Sequence, residues 1–194
     1  MNYGELKTAV AGWINRTDLG SNIASIVEMA EATIRTDVRV AAMESLVTGS
    51  LVDGAAPLPD RFLESRRLLV GGKLHDYVTP DQYQVEIEAS STLRHYTSFA
   101  GSINVIGGGT NSYSLLCYRW FDAFVSDSDT NWLLTNYPNV YVYQALKQAA
   151  VFVKDANAAQ GYEVLYQQAK NAVNGIDKAA ANPGAMTIRS RSVA

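Results

Sequence analysis

The length, composition and charge of the chain favour a folded protein. Its 194 residues are 47% hydrophobic and only 18% charged, which excludes the intrinsically disordered class and allows one domain, or one domain with a small insertion. The formal net charge of −3 argues against a general nucleic-acid binder, because binding to phosphates requires a basic face.

The chain carries none of the patterns typical of secretion or membrane insertion. Cys117 is its only cysteine, so no intrachain disulfide can form. The residues after Met1 lack the basic start and apolar run of a signal peptide, and the apolar runs are far shorter than the ~20 residues that span a bilayer. We therefore expect a soluble protein made in a reducing cytoplasm, with no membrane partner.

Two amphipathic helices are predicted at the start of the chain. Apolar residues recur at helical spacing, first in Leu6, Ala9, Val10, Trp13 and Ile14 and then in Ile23, Ile26, Val27, Ala30, Ile34 and Val38. Ser21 or Asn22 is a suitable N-cap for the second helix. Each helix presents one apolar face for burial.

After residue 46 the pattern changes to one typical of strands, punctuated by glycine and proline. Strands are predicted at 66–70, 74–78, 93–99, 102–106 and 112–118. Gly71-Gly72-Lys73 separates the first two and indicates a hairpin, because tight hairpin turns need positive φ angles. Gly107-Gly108-Gly109 predicts a mobile hairpin tip before the last strand. Together these strands predict a small antiparallel sheet or sandwich.

A short helix is predicted between the second and third strands. Thr79-Pro80-Asp81-Gln82 has the pattern of a capping box, in which the Thr79 hydroxyl accepts a hydrogen bond from a free backbone amide. Pro80 suits the first helical position, and we expect the Gln82 side chain to reach back to the cap.

Two more helices are predicted near the end of the chain. Val142, Leu146, Ala149 and Val153 mark one face of a helix that follows Pro138 and ends near residue 154. A long final helix is marked by Tyr162, Leu165, Tyr166, Ala169, Val173 and Ile176. Asn182-Pro183-Gly184 then ends the helical pattern.

These elements predict an α+β fold: an antiparallel helical bundle with an inserted small antiparallel β-rich subdomain and an extended C-terminal tail. The predicted domains are 1–46 with 136–181 for the bundle, 47–135 for the β-rich insertion, and 182–194 for the tail. The tail offers no periodicity and few apolar anchors, so we expect it to be mobile in solution.

No motif predicts a catalytic residue, a cofactor or a metal. The glycines at 107–109 lack the Gly-Lys-Ser/Thr of a phosphate-binding loop. Asp127, Asp129 and Asn131 have the spacing that opens an EF-hand, but Trp132 occupies the glycine position, and so turn formation is the better interpretation.

The histidines and the cysteine are interpreted as structural. His75 and His95 lie in strand-like regions and form no ligand pair. Cys117 lies in an apolar strand, where a small buried thiol is common. The aromatic residues Trp120, Phe121, Trp132, Tyr137, Tyr141 and Tyr143 favour a core, with an intersubunit interface as the second interpretation.

Several segments carry a family resemblance, in residues 3–7, 28–39, 58–64, 77–83 and 131–146. The last is the most specific, since Asn131-Trp132-Leu133-Leu134 leads through Tyr137-Pro138 into the next helix. In the order and residue composition of these segments the chain resembles the phage adaptor family, the head-completion proteins that attach beneath the portal of tailed bacteriophages.

The resemblance implies a virion structural protein at the head-tail interface, made in the host bacterial cytoplasm. It implies a homo-oligomeric ring of about twelve copies with cyclic symmetry and heterologous contacts between neighbours. The expected partners are the portal protein and a tail or nozzle protein, with DNA passing through the lumen without specific binding.

The resemblance also suggests two contact regions. The mobile tail is the candidate portal-binding segment, with Ile188 and Val193 as apolar anchors and Arg189 and Arg191 as partners for acidic groups. A frayed terminus without a binding role is the alternative interpretation of the same residues. The loop formed by Gly107, Gly108, Gly109, Thr110 and Asn111 is the candidate tail-facing loop. The alternative from a different class is a small soluble enzyme with an unrecognised site around His75, His95 or the aspartates near residue 127.

Overall fold

The computed structural model describes the backbone of residues 1–14 and 17–181. The chain forms two compact units. The first, here called the helical unit, combines Met1–Ala42 with the chain from Asp122 onward, and the second, the sheet unit, is Met43–Phe121.

The helical unit holds five of the six described α-helices. They are α1 (Tyr3–Ile14), α2 (Ile23–Asp37), α4 (Trp132–Asn136), α5 (Pro138–Phe152) and α6 (Ala156–Ala181), while α3 (Pro80–Glu88) belongs to the sheet unit. A short 3-10 helix, Thr17–Asn22, links α1 to α2, and a second one, Ala41–Met43, follows α2. The two early helices and the two long late ones are confirmed.

Helix α5 is the centre of the helical unit. It contacts α1, α2, α4 and α6. Its buried residues face several directions and include Val140, Tyr141, Val142, Gln144, Ala145, Leu146, Ala149 and Ala150. A helix that is apolar on most sides must be surrounded by others, so the sequence prediction of a single apolar face was too narrow.

The sheet unit contains seven strands in one nearly closed, barrel-like sheet. The strands are β1 (Glu44–Ser50), β2 (Ala55–Pro57), β3 (Phe62–Val70), β4 (Lys73–Tyr77), β5 (His95–Phe99), β6 (Ser102–Val105) and β7 (Ser112–Arg119). Their order in the sheet is β1-β7-β3-β4-β5-β6-β2. The interior is filled from several strands by Leu51, Leu68, Ile103, Leu115 and Cys117, all fully buried.

Local turn chemistry explains two of the connections. Gly71 and Gly72 have φ angles of 56° and 76° and join β3 to β4 in the predicted hairpin. Thr79 caps α3 by accepting a hydrogen bond from the Gln82 amide at 3.3 Å. The Gln82 side chain does not reach back, because it donates instead to Glu86.

The predicted fold class is wrong. The structure is a mixed α/β protein in which a seven-stranded sheet replaces the expected small antiparallel subdomain. Strands β1 and β2 were not predicted, and both are needed to extend the sheet toward closure. Moreover β4 and β5 are parallel, which is possible because α3 provides the crossover between them.

The predicted hairpin at 107–111 is also wrong. Strand β6 pairs with β5 and β2, whereas β7 pairs with β1 and β3, so the loop joins strands that are not neighbours. The predicted domain bounds, 1–46 with 136–181 and 47–135, stay a prediction, and the tail at 182–194 lies outside the described residues.

Candidate interaction site

A wedge-shaped cleft opens in the sheet unit where β4 leaves β3. Strand β4 pairs with β3 only at residues 68–70, and its last two residues, Asp76 and Tyr77, pair with β5 instead. The earlier part of β3 pairs with β7 on its other side. The two strands therefore diverge, and they leave a cavity of about 660 Å³ between them.

Polar and apolar residues from three strands line this wedge cleft. The cleft is lined by residues 62–67 of β3, residues 74–77 of β4, and Tyr96 and Ser98 of β5. The Tyr96 hydroxyl donates to the Ser65 hydroxyl at 2.9 Å and so bridges the two sides. Burial raises the pKa of Tyr96, which keeps its phenol neutral and able to donate this bond.

Positively and negatively charged side chains both line the cleft. Arg66 binds the Glu44 carboxylate and lies 3.2 Å from the Tyr118 hydroxyl, so its charge is used within the sheet. Arg67 and Asp76 are both exposed, and neither side chain forms a salt bridge or hydrogen bond with any other described residue. Tyr77 packs edge-on against Tyr96 with 51% of its surface exposed.

The candidate tail-facing loop is held by backbone hydrogen bonds from Leu51 and Gly54 and by a side-chain bond within the loop itself. Gly54 donates to the Gly109 carbonyl at 2.8 Å, and the Asn111 side chain donates to the Gly108 carbonyl at 2.7 Å. Gly108 is buried, and a side chain there would collide with Leu51. The remaining four residues, Gly107, Gly109, Thr110 and Asn111, are exposed.

The candidate portal-binding residues Ile188, Arg189, Arg191 and Val193 lie outside the described residues. Their assignment stays a prediction.

The residues considered for an enzyme have their own local partners and belong to different units of the chain. His75 Nδ1 lies 3.0 Å from the Lys73 carbonyl oxygen, and His95 Nδ1 lies 2.7 Å from a carboxylate oxygen of Glu86. Both histidines belong to the sheet unit, whereas the aspartates near 127 belong to the helical unit. Within the described part of the chain, no cluster of three or more His, Cys, Asp or Glu residues could hold a metal ion.

The aspartates instead fasten the start of α1. Asp129 accepts hydrogen bonds from the Val125 and Ser126 amides, both at 2.7 Å, and these bonds lower the pKa of its carboxyl. The Asp127 carboxylate binds Lys7 at 2.6 Å, and its carbonyl accepts from the Gly4 amide at 2.9 Å. The predicted turn is confirmed, and this segment also holds the first helix.

Within the most specific sequence segment, Asn131 links two helices of the helical unit through two hydrogen bonds, here called the Asn131 staple. Asn131 Oδ1 accepts from the Leu134 amide at 2.8 Å and caps α4, while Asn131 Nδ2 donates to the Tyr141 hydroxyl at 2.8 Å. Leu133, Leu134 and Tyr141 are fully buried. The asparagine thus joins the short helix α4 to the central helix α5.

The aromatic residues form separate pairs in the two units; Tyr141 and Trp120 are buried, whereas Trp132 is exposed. Tyr141 packs against Phe124 with ring centroids 5.6 Å apart, and Trp132 packs against Tyr137 at 5.5 Å. Trp13 lies edge-on to Tyr143 at 6.2 Å. Trp120 and Phe121, which belong to the sheet unit, pair with each other at 5.4 Å.

Comparison with protein families identifies the chain. The family model described as SU10 adaptor protein matches residues 1–189. The chain belongs to this family. The resemblance found in the sequence is therefore confirmed, and the adaptor is a phage structural protein and a component of the virion.

Two further findings accompany this identification. A comparison with curated proteins found no match for the adaptor. Among the described residues, no helix combines the length and the apolar character needed to cross a membrane.

The wedge cleft was missed by sequence reasoning. A signal for it was present, because Arg66 and Arg67 place two charged side chains in succession at the start of a predicted strand. The cleft itself depends on β4 changing partners, which no local pattern encodes.

Proposed function

We propose that the adaptor assembles into a ring of about twelve copies beneath the portal, with heterologous contacts between neighbouring subunits. The ring completes the DNA channel of the neck and offers a docking surface to the tail. The observation that carries this proposal is the family match, which covers residues 1–189.

The charge of the chain is compatible with a conduit for DNA. A ring whose lumen attracted phosphate strongly would slow the passage of DNA, because each neutralised phosphate releases counterions and strengthens binding. The formal net charge of −3 gives little such attraction. DNA therefore passes through the lumen without specific binding.

The C-terminal tail makes the portal contact in this proposal. Arg189 and Arg191 pair with acidic groups of the portal, and Ile188 and Val193 serve as apolar anchors. A segment that orders on binding can cover a large surface for its length. The sheet unit and its 107–111 loop face the tail or nozzle protein.

Tail variants test the portal contact. Deletion of residues 183–194 should abolish co-sedimentation with purified portal rings while leaving the circular dichroism spectrum unchanged. The double substitution R189E/R191E should weaken attachment at low salt, because it reverses two charges, whereas S190A/S192A is the matched control and should bind as the wild type does. Full attachment of the deletion variant would refute the portal role of the tail.

The loop is tested separately from the portal contact. Thr110 is exposed, so T110R should preserve the fold and the portal complex. It should reduce the assembly of tail proteins onto that complex, because a bulky cation then occupies the docking surface. Normal tail assembly with this variant would show that the loop faces elsewhere.

A further inference from the structure

We propose that the wedge cleft of the sheet unit receives an extended segment of a tail protein, which inserts as an additional strand between β3 and β4 and brings an acidic side chain to Arg67. This inference rests on the proposed orientation of the sheet unit toward the tail. It adds the site, the mode of binding and the chemistry of the bound segment.

Strand geometry favours an extended polypeptide in the cleft. The two walls are strands of one sheet that pair with each other only at residues 68–70 of β3, so residues 62–67 of β3 do not pair with β4. An inserted strand would continue the hydrogen-bonding pattern of both walls, which is how strand addition provides affinity. A cavity of about 660 Å³ leaves room for a short extended segment of a few residues.

The side chains at the cleft favour a charged segment. Arg67 on β3 and Asp76 on β4 lack side-chain partners among the described residues, although both line the cavity. An acidic residue opposite Arg67 and a basic or polar residue opposite Asp76 would satisfy both. Tyr77, half exposed at the rim and braced by Tyr96, offers an aromatic face for packing.

The same charges argue against the C-terminal tail of a second copy. Residues 182–194 contain two arginines and no acidic side chain. That segment could place an arginine opposite Asp76, but it has no acidic side chain to offer to Arg67. The complementary occupant therefore comes from a different protein.

The probe is a set of overlapping 12-residue peptides that span the tail proteins encoded in the same phage genome. Each fluorescein-labelled peptide is titrated with the full-length adaptor and followed by fluorescence polarisation. We expect binding by a peptide that carries an acidic residue within an alternating, strand-like sequence. Hydrogen exchange should then show new protection at residues 62–67 and not at the free edge of β1.

Three variants locate the contact. R67E should weaken binding about tenfold or more, the order expected for the loss of a charge-assisted hydrogen bond. S98W should also weaken it, because the larger side chain fills the cavity. K73E is the matched control, since Lys73 is exposed on the same hairpin but does not line the cleft, and it should bind as the wild type does.

A reciprocal charge exchange distinguishes the loss of the Arg67 contact from misfolding of the R67E variant. A peptide whose acidic residue is replaced by lysine should bind R67E better than it binds the wild type. Equal binding of the peptide to wild type, R67E and S98W would overturn the inference, as would protection confined to β1. If no peptide binds but the adaptor still attaches to portal rings, the inference fails and the proposed function stands; if peptides bind but no portal complex forms, the proposed function fails instead.

Discussion

The staple formed by Asn131 allows the sharpest prediction about the stability of the helical unit. N131A removes two interactions at once, the cap on α4 and the hydrogen bond donated to Tyr141. Loss of a side-chain N-cap costs about 1 kcal/mol. The Tyr141 hydroxyl is fully buried, and leaving such a group without its partner costs about 1–3 kcal/mol. We therefore expect N131A to lower the free energy of unfolding by about 2–4 kcal/mol.

The second substitution separates the two costs. Y141F removes the hydroxyl together with its need for a partner, so on its own it should cost about 1 kcal/mol. The double variant N131A/Y141F should be no less stable than N131A, because no buried hydroxyl is then left unpaired. A double-mutant cycle should thus give a coupling energy of about 1 kcal/mol or more between the two positions.

Urea unfolding followed by circular dichroism at 222 nm measures these differences, since most helices lie in this unit. N136A is the control, because the Asn136 side chain bonds only within the exposed surface of the same short helix, and it should change stability by less than about 0.5 kcal/mol. Additive effects of N131A and Y141F, or an N131A cost equal to that of N136A, would refute the reasoning.

Other positions give independent tests. Gly54 has a φ of 80°, and an added Cβ would lie 2.9 Å from a backbone carbonyl of β6; G54A should therefore cost about 1–3 kcal/mol in urea unfolding, more than G72A, whose added Cβ meets open space. The hydrogen bond from Lys147 lowers the pKa of the Glu163 carboxyl. The ionised Glu163 therefore stabilises the fold at neutral pH, and this stabilisation is lost as the pH falls below about 4. The stability advantage of wild type over E163Q should shrink on acidification, and a difference that stays constant with pH would contradict the prediction. Burial raises the pKa of the Cys117 thiol, so Ellman's reagent should label it slowly in the native protein and rapidly in urea.

The long helices could be predicted because their signal is local. The apolar residues of α2 repeat at helical spacing from Ile23 to Ile34, and the same residues are buried in the structure. Asn22 was a reasonable cap candidate by residue type and occupies the cap position, yet its side chain makes no capping hydrogen bond. Helix α4, Trp132–Asn136, was missed because a helix of five residues shows no periodicity.

The sheet could be predicted only in part because its closure depends on distant residues. Strand β1, Glu44–Ser50, has mostly exposed and polar residues, and it is a strand because it pairs with β7 more than sixty residues later. Strand β2 has three residues and pairs with β6. Neither strand carries a pattern strong enough to be recognised alone, and without them the barrel-like sheet looked like a small insertion.

The candidate sites also differ in how far the sequence could predict them. The staple at Asn131 lay within the segment that carried the family resemblance, so sequence reasoning found the residues without their geometry. The wedge cleft arises from a change of strand partner at residues 75–76 of β4, which only the three-dimensional pairing reveals. The residues assigned to the portal contact lie beyond residue 181, and their role rests on experiment.

The central claim is assembly on the portal, and the mass of the complex tests it most directly. The purified adaptor is mixed with the portal ring from the same genome and analysed by size-exclusion chromatography with light scattering. The account predicts a discrete complex in which about twelve copies of the 21.1 kDa chain add roughly 250 kDa to the portal ring. Absence of association at every salt concentration tested would contradict it.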